Sequence, residues 1–176
     1  MTTSTRIGFA LLLVSCSVAS PRTEIVDALA HAAPFEVQAG AARVDVARAR
    51  FADVEVAAEG GRAPVLAVVD ADGKVRLDGA DVALGYVGRE AFEVERCGRA
   101  RWCPAGSALP ALAGVVAALA GSPRPADRRP VGWQIRIERD RALVGEDAVG
   151  PGGDRATRGV VELVRDGVAW RLAAPR

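Results

Sequence analysis

The clearest pattern in the chain is the alternation of Val131, Trp133, Ile135 and Ile137 with Gln134, Arg136 and Glu138. Side chains two apart share one face of a strand, so this stretch predicts a half-buried β-strand. The chain closes on a second alternation. Asp166-Gly167 joins the stretch Val160 to Val164 to the stretch Val168 to Leu172, and Asp-Gly suits a two-residue turn between twisted antiparallel strands. On that turn Leu163 would face Trp170 and Val161 would face Leu172, with Glu162 facing Arg171 on the other side. Earlier, Arg43 to Phe51 and Asp53-Val54-Glu55-Val56 read as strands. Their apolar parity flips near Ala47, which predicts a bulge or a break. Val65 to Val69 and Lys74 to Leu77 flank Asp72-Gly73 and predict another hairpin.

Two segments have helical spacing. Thr23 can cap a helix running to about Ala33, with Glu24 and Asp27 near its positive end, Ile25, Val26 and Leu29 on one side, and Pro34 as its stop. From Cys103 to Pro123 no residue is charged, yet Pro104, Pro110, three glycines and many alanines leave little drive to span a bilayer. This stretch predicts a buried helix capped by Ser107, with Pro110 in its first turn, Gly121 ending it, and Leu109, Leu112, Val116 and Leu119 facing the core. Gly121-Ser122-Pro123-Arg124-Pro125 through Pro130 reads as a stiff surface connection. Gly145 to Gly159, rich in glycine and charge, reads as a mobile loop. The pattern as a whole predicts an α+β fold, an antiparallel sheet built from hairpins and packed with two helices. It leaves open one domain over 22–176 or two halves, 22–121 and 131–176. Each half runs helix, strands, then an Asp-Gly hairpin whose last strand ends Arg76-Leu77 or Arg171-Leu172, so a degenerate duplication stands beside the ordinary grammar of hairpins.

The amino terminus changes the picture of where the protein works. A polar start closed by Arg6 is followed by the apolar run Ile7 to Val14, which is shorter than the about 20 residues a membrane span needs. The run ends in Leu13-Val14-Ser15-Cys16, which resembles the lipobox of bacterial lipoproteins. The resemblance implies a signal peptide over 1–15 and a diacylated Cys16 as the first mature residue, with 16–21 as a lipidated tether. Two or more acyl chains suffice for stable anchoring. In the same family a Ser such as Ser17 after the cysteine fits sorting to the outer membrane, so the implied location is the cell envelope, on the periplasmic side of that membrane. From Cys16 to Pro21 the tether reaches roughly 20 Å at most.

Composition narrows the partners. Removing fifteen residues from 176 leaves 161, and removing Arg6 leaves 22 basic against 22 acidic residues. A neutral chain lacks the cationic excess on which phosphate-backbone binding rests, so nucleic acid is not an expected partner. The expected ones are a membrane through Cys16 and an envelope protein or anionic ligand. Of the three cysteines, Cys97 and Cys103 remain as an even pair, which in an oxidising compartment predicts a disulfide.

The closing stretch Val161 to Leu172 also resembles the last hairpin of cystatin-like α+β rolls. That resemblance implies a curved sheet wrapping a helix and, as an alternative to a filled core, a small carrier or enzyme with a cone-shaped pocket.

The one histidine, His31, lies on the Ala-rich end of the first helix, where a surface or packing role is expected. Ser107 lacks the G-x-S-x-G elbow of a hydrolase nucleophile. Asp70-Ala71-Asp72-Gly73 fails as a calcium loop, because aligning Gly73 with the required glycine puts Val68 and Gly79 at ligand positions. Gly150-Pro151-Gly152-Gly153 has no Lys-Ser/Thr after it, as a phosphate loop requires. The expectation is a non-enzymatic protein with no catalytic residue, no metal and no cofactor. The most unusual local surface is Arg96-Cys97-Gly98-Arg99-Ala100-Arg101-Trp102-Cys103, with Arg89 just before it. Guanidinium groups and an indole on a stapled loop can hold an anion, a lipid headgroup or a partner's carboxylates. The alternative is that Trp102 packs inward beside the disulfide while the arginines are solvated.

Overall fold

The computed structural model describes residues 21–31, 34–57, 61–99, 101–105, 109–124, 127–153 and 155–174. Residues 1–20, which hold the expected signal peptide, Cys16 and most of the expected tether, therefore lie outside the described residues, as do Ser107 and Ala100. Among the described residues no helix is long and apolar enough to cross a membrane.

The fold is mostly β, which corrects the α+β expectation of hairpins packed with two helices. Helix α1 (Pro21–His31) precedes a meander of β1 (Phe35–Ala39), β2 (Ala42–Val56), β3 (Arg62–Leu77) and β4 (Ala80–Gly98). A short β5 (Arg101–Pro104) folds back on β4, and helix α2 (Pro110–Ala120) leads to a second meander. That meander comprises β6 (Arg129–Glu138), β7 (Arg141–Val149), β8 (Arg155–Asp166) and β9 (Ala169–Leu172). All nine strands form one mixed sheet in the order β1-β2-β3-β4-β6-β7-β8-β9, with β5 beside β4. One sheet thus runs through both stretches that sequence could read as halves. β4 and β6 pair in parallel, Leu84 opposite Trp133 and Tyr86 opposite Ile135, because α2 carries the chain across between them.

The correction has an identifiable cause in β3 and β4, which run 16 and 19 residues. Asp72-Gly73 is not a turn. Alternate residues from Ala63 to Leu77 keep one inward parity through Gly73, and β4 supplies a matching row from Val82 to Val94. The hairpin forms instead at the next Asp-Gly, where Asp78 and Gly79 both have positive φ (50° and 78°), the geometry that such a two-residue turn requires. Gly73 serves a different purpose. A Cβ there would sit 2.2 Å from the Asp45 carbonyl oxygen, so the glycine admits the bulge in β2. That bulge falls between Val46 and Arg48, where the parity flip predicted it, and a second follows between Ala52 and Glu55.

The supposed mobile loop from Gly145 to Gly159 is largely strand, since β7 runs to Val149 and β8 starts at Arg155. The last hairpin forms with its register moved by two. Leu163 pairs with Leu172, Val164 with Arg171 and Arg165 with Trp170, and Gly167-Val168 make the turn. A shift of two preserves facing, so Leu163 and Trp170 still point inward. The expected Glu162–Arg171 pair is replaced by Glu162–Arg141 and Arg171–Asp166.

Helix α1 starts at Pro21, ahead of the expected cap, which puts Thr23 inside its first turn. It presses Ile25 and Leu29 into the core and lies against β2 and β5. Helix α2 has Pro110 in its first turn and ends at Gly121, and it buries Leu112, Val115, Val116 and Leu119. It touches β1 and β9, the two ends of the strand order, so the sheet curls round it.

Candidate functional site

The β4–β5 hairpin is the stapled loop that the sequence singled out. A disulfide joins Cys97 to Cys103 with a Cα–Cα distance of 5.9 Å. Arg96 pairs with Trp102, and a bulge lets Gly98 pair with Arg101. Trp102 packs inward, 4 % exposed, beneath α1 and beside the staple. Arg96 lies over this indole, its guanidinium carbon 5.2 Å from the ring centroid, and donates through Nη1 to the Arg99 carbonyl at 3.0 Å. Arg96 is therefore occupied in holding the hairpin. Arg99 and Arg101 are exposed and have no carboxylate partner among the described residues. The structure thus brings Arg96, Arg99, Arg101 and Trp102 together but sets Arg89 apart, paired with Glu55.

The contrast with the outer face of the sheet gives those two cations their interest. There Arg43 meets Glu36 and Asp45, Arg48 meets Asp72, Arg50 meets Asp70, and Arg62 meets Glu95. Lys74 and Arg76 share Asp81, and their hydrogen bonds and charge hold that carboxyl below its usual range. Exposed pairs of this kind add little stability. What they do is neutralise much of that face strand by strand, which sets Arg99 and Arg101 apart from it.

A cleft of about 480 Å³ separates the hairpin from α1, with Arg101 on one wall and Glu24, Asp27 and His31 on the other. His31 is exposed, and its Nδ1 donates to the Asp27 carbonyl at 2.7 Å, one turn back in the helix. No group of three or more His, Cys, Asp or Glu residues able to hold a metal exists among the described residues.

Sequence reasoning passed over one buried charged residue. Glu90, 1 % exposed, stands on the inner face of β4. Its carboxylate accepts from the Ala111 and Leu112 amides at 2.9 and 2.8 Å, the free N–H groups of the first turn of α2, and from the Tyr86 hydroxyl at 2.7 Å. It supplies the cap expected of Ser107, since the residue preceding the helix is Leu109 in a left-handed conformation with no side-chain bond of its own. Burial raises the Glu90 carboxyl above its usual range, against the pull of those three donors and of Arg165. Tyr86 reaches Glu90 by lying across Gly88, where a Cβ would come within 2.3 Å of the hydroxyl. The alternation Tyr86-x-Gly88-x-Glu90 was the available signal, because three such residues at spacing two share a strand face. All of Glu90's partners are internal, which makes it a structural cap.

Comparison with protein-family models, with curated proteins and with solved structures returned no match.

Proposed function

We propose that the protein is a lipid-anchored component of the bacterial cell envelope, held through Cys16 and acting by non-enzymatic binding or assembly. The observation that carries the binding role is the filled inner face of the sheet. Trp133 is fully buried, its indole N–H donating to Glu146 at 2.8 Å, and Trp170 is 8 % exposed. A carrier or enzyme with a cone-shaped pocket would line that pocket with one of these indoles, whereas here both belong to the packed core. Recognition is left to the outside, where Arg99 and Arg101 offer guanidinium groups with no carboxylate partner among the described residues, on a disulfide-stapled hairpin.

Anchoring and recognition fit one geometry. Helix α1 starts at Pro21, close after Cys16, and lies against β5. The short tether therefore holds the hairpin end of the sheet near the bilayer, where an envelope protein or an anionic headgroup would meet it.

Two experiments test the reading. Fractionation of cells making the Cys16→Ser chain should move the protein from membranes to the soluble envelope fraction; a chain that stays membrane-bound rejects the anchor. A crosslinking pull-down from membranes should recover a partner with the native chain and lose it with the double variant Arg99→Glu, Arg101→Glu. Unchanged capture removes the hairpin from the account.

A further inference from the structure

A second set of uncompensated guanidinium groups lies at the other end of the long strands. Between the end of α2, the β3–β4 turn and the start of β6 opens a cleft of about 590 Å³, lined by Arg124, Arg128 and Arg129 together with Ser122 and Asp78. Asp81 near that turn and Cys97 in the stapled hairpin are separated by roughly 50 Å of β4, so the two basic sites are distinct.

The first guanidinium is held in place. Arg124 donates through Nη2 to the Leu119 carbonyl at 2.6 Å, and its guanidinium carbon lies 5.3 Å from the centroid of the Trp133 ring. The other two side chains, Arg128 and Arg129, are exposed. Neither has a hydrogen-bond or carboxylate partner among the described residues. A helix C-terminus would ordinarily disfavour an anion nearby. Here its carbonyls are already met, Ala117 by the Gly121 amide at 3.0 Å, Ala118 by the Ser122 hydroxyl at 2.6 Å and Leu119 by Arg124. Among the described residues Asp78 is the one acid in the lining, which leaves three cations against one anion there. Pro130, which also lines the cleft, is fixed by its ring and by pairing with Ala148, which lowers the ordering cost of binding at that wall.

We propose that this cleft binds a small multivalent oxyanion, phosphate- or carboxylate-bearing, gripped by the forked donors of Arg128 and Arg129 against a fixed Arg124. The site stands whether or not the chain carries a lipid. Its position in the fold, far along β4 from the hairpin, gives the molecule two separate recognition surfaces.

Calorimetric titration of the detergent-solubilised full chain with pyrophosphate and with citrate tests the proposal. One probe should bind saturably, and Arg128→Ala with Arg129→Ala should weaken it at least tenfold with unchanged melting temperature. The double variant Arg99→Ala, Arg101→Ala should leave the affinity unaltered. Tighter pyrophosphate binding assigns a phosphate-bearing ligand and tighter citrate binding a carboxylate-bearing one. No saturable binding of either probe, full affinity in the Arg128, Arg129 variant, or equal loss in both variants overturns the site.

Discussion

At the scale of single residues the most consequential one is Glu90, a buried carboxylate whose donors come from two elements, β4 and α2. Replacing it with Ala strands two helix amides and the Tyr86 hydroxyl in the core, and roughly 3 kcal/mol of stability should be lost. Chemical denaturation of Glu90→Ala against the native chain measures this, and a loss below about 1 kcal/mol would contradict the capping role. The pH dependence has a definite sign. Because the folded protein holds the Glu90 proton more tightly than the unfolded chain, this group's contribution is full below the ordinary carboxylate range and declines as pH rises through the raised folded value. The stability of the native chain relative to Glu90→Gln should therefore fall as pH is raised from the ordinary carboxylate range towards neutrality. A difference that rises over the same range would refute the assignment. Glu90 was hard to read from sequence because an acid among alternating residues looks like a solvated outward position, and its parity with Tyr86 and Phe92 was the only sign otherwise. Trp102 and the Cys97–Cys103 disulfide were legible, since cysteine arithmetic and an adjacent bulky indole depend on local sequence alone.

Among the elements, those whose structure follows from their own residues were readable and those chosen by a neighbour were not. Helix α2 and strand β6 carry their buried positions in their spacing, and Leu112, Val116, Leu119, Trp133 and Ile135 are buried as predicted. The choice between two Asp-Gly turns is different, because it depends on β4 being long enough to pair with all of β3. The same holds for the two-residue shift in the last hairpin, where Leu163 pairs with Leu172 and Trp170 packs against α2 at Gly114. A Cβ at Gly114 would stand 2.7 Å from Trp170 Cδ1. Alanine normally favours a helix over glycine by about 1 kcal/mol, but overpacking here costs about 1 to 3 kcal/mol. Gly114→Ala should lower the melting temperature, and a rise would show that Trp170 does not seat on this helix. Breaking the staple with Cys97→Ser and Cys103→Ser should cost about 2 kcal/mol, read as a shift of the denaturation midpoint.

Across the whole molecule, balanced charge conceals an uneven distribution. Carboxylates neutralise most cations on the outer face of the sheet, while Arg99 and Arg101 at one end, and Arg128 and Arg129 at the other, have no such partner among the described residues. Composition reports only the sum, so a total near zero, +1 over the full sequence, could argue against nucleic acid as an expected partner without revealing either basic site. The proposed anchor gives the two ends different surroundings, the hairpin facing the bilayer and the arginine cleft facing away from it. Everything about place therefore turns on the chemistry of one cysteine. The intact mass of the protein purified from native membranes tests it most directly. The account requires a chain that begins at residue 16 and carries a thioether-linked diacylglycerol on that sulfur, whereas a mature chain with a free thiol at Cys16 would contradict it.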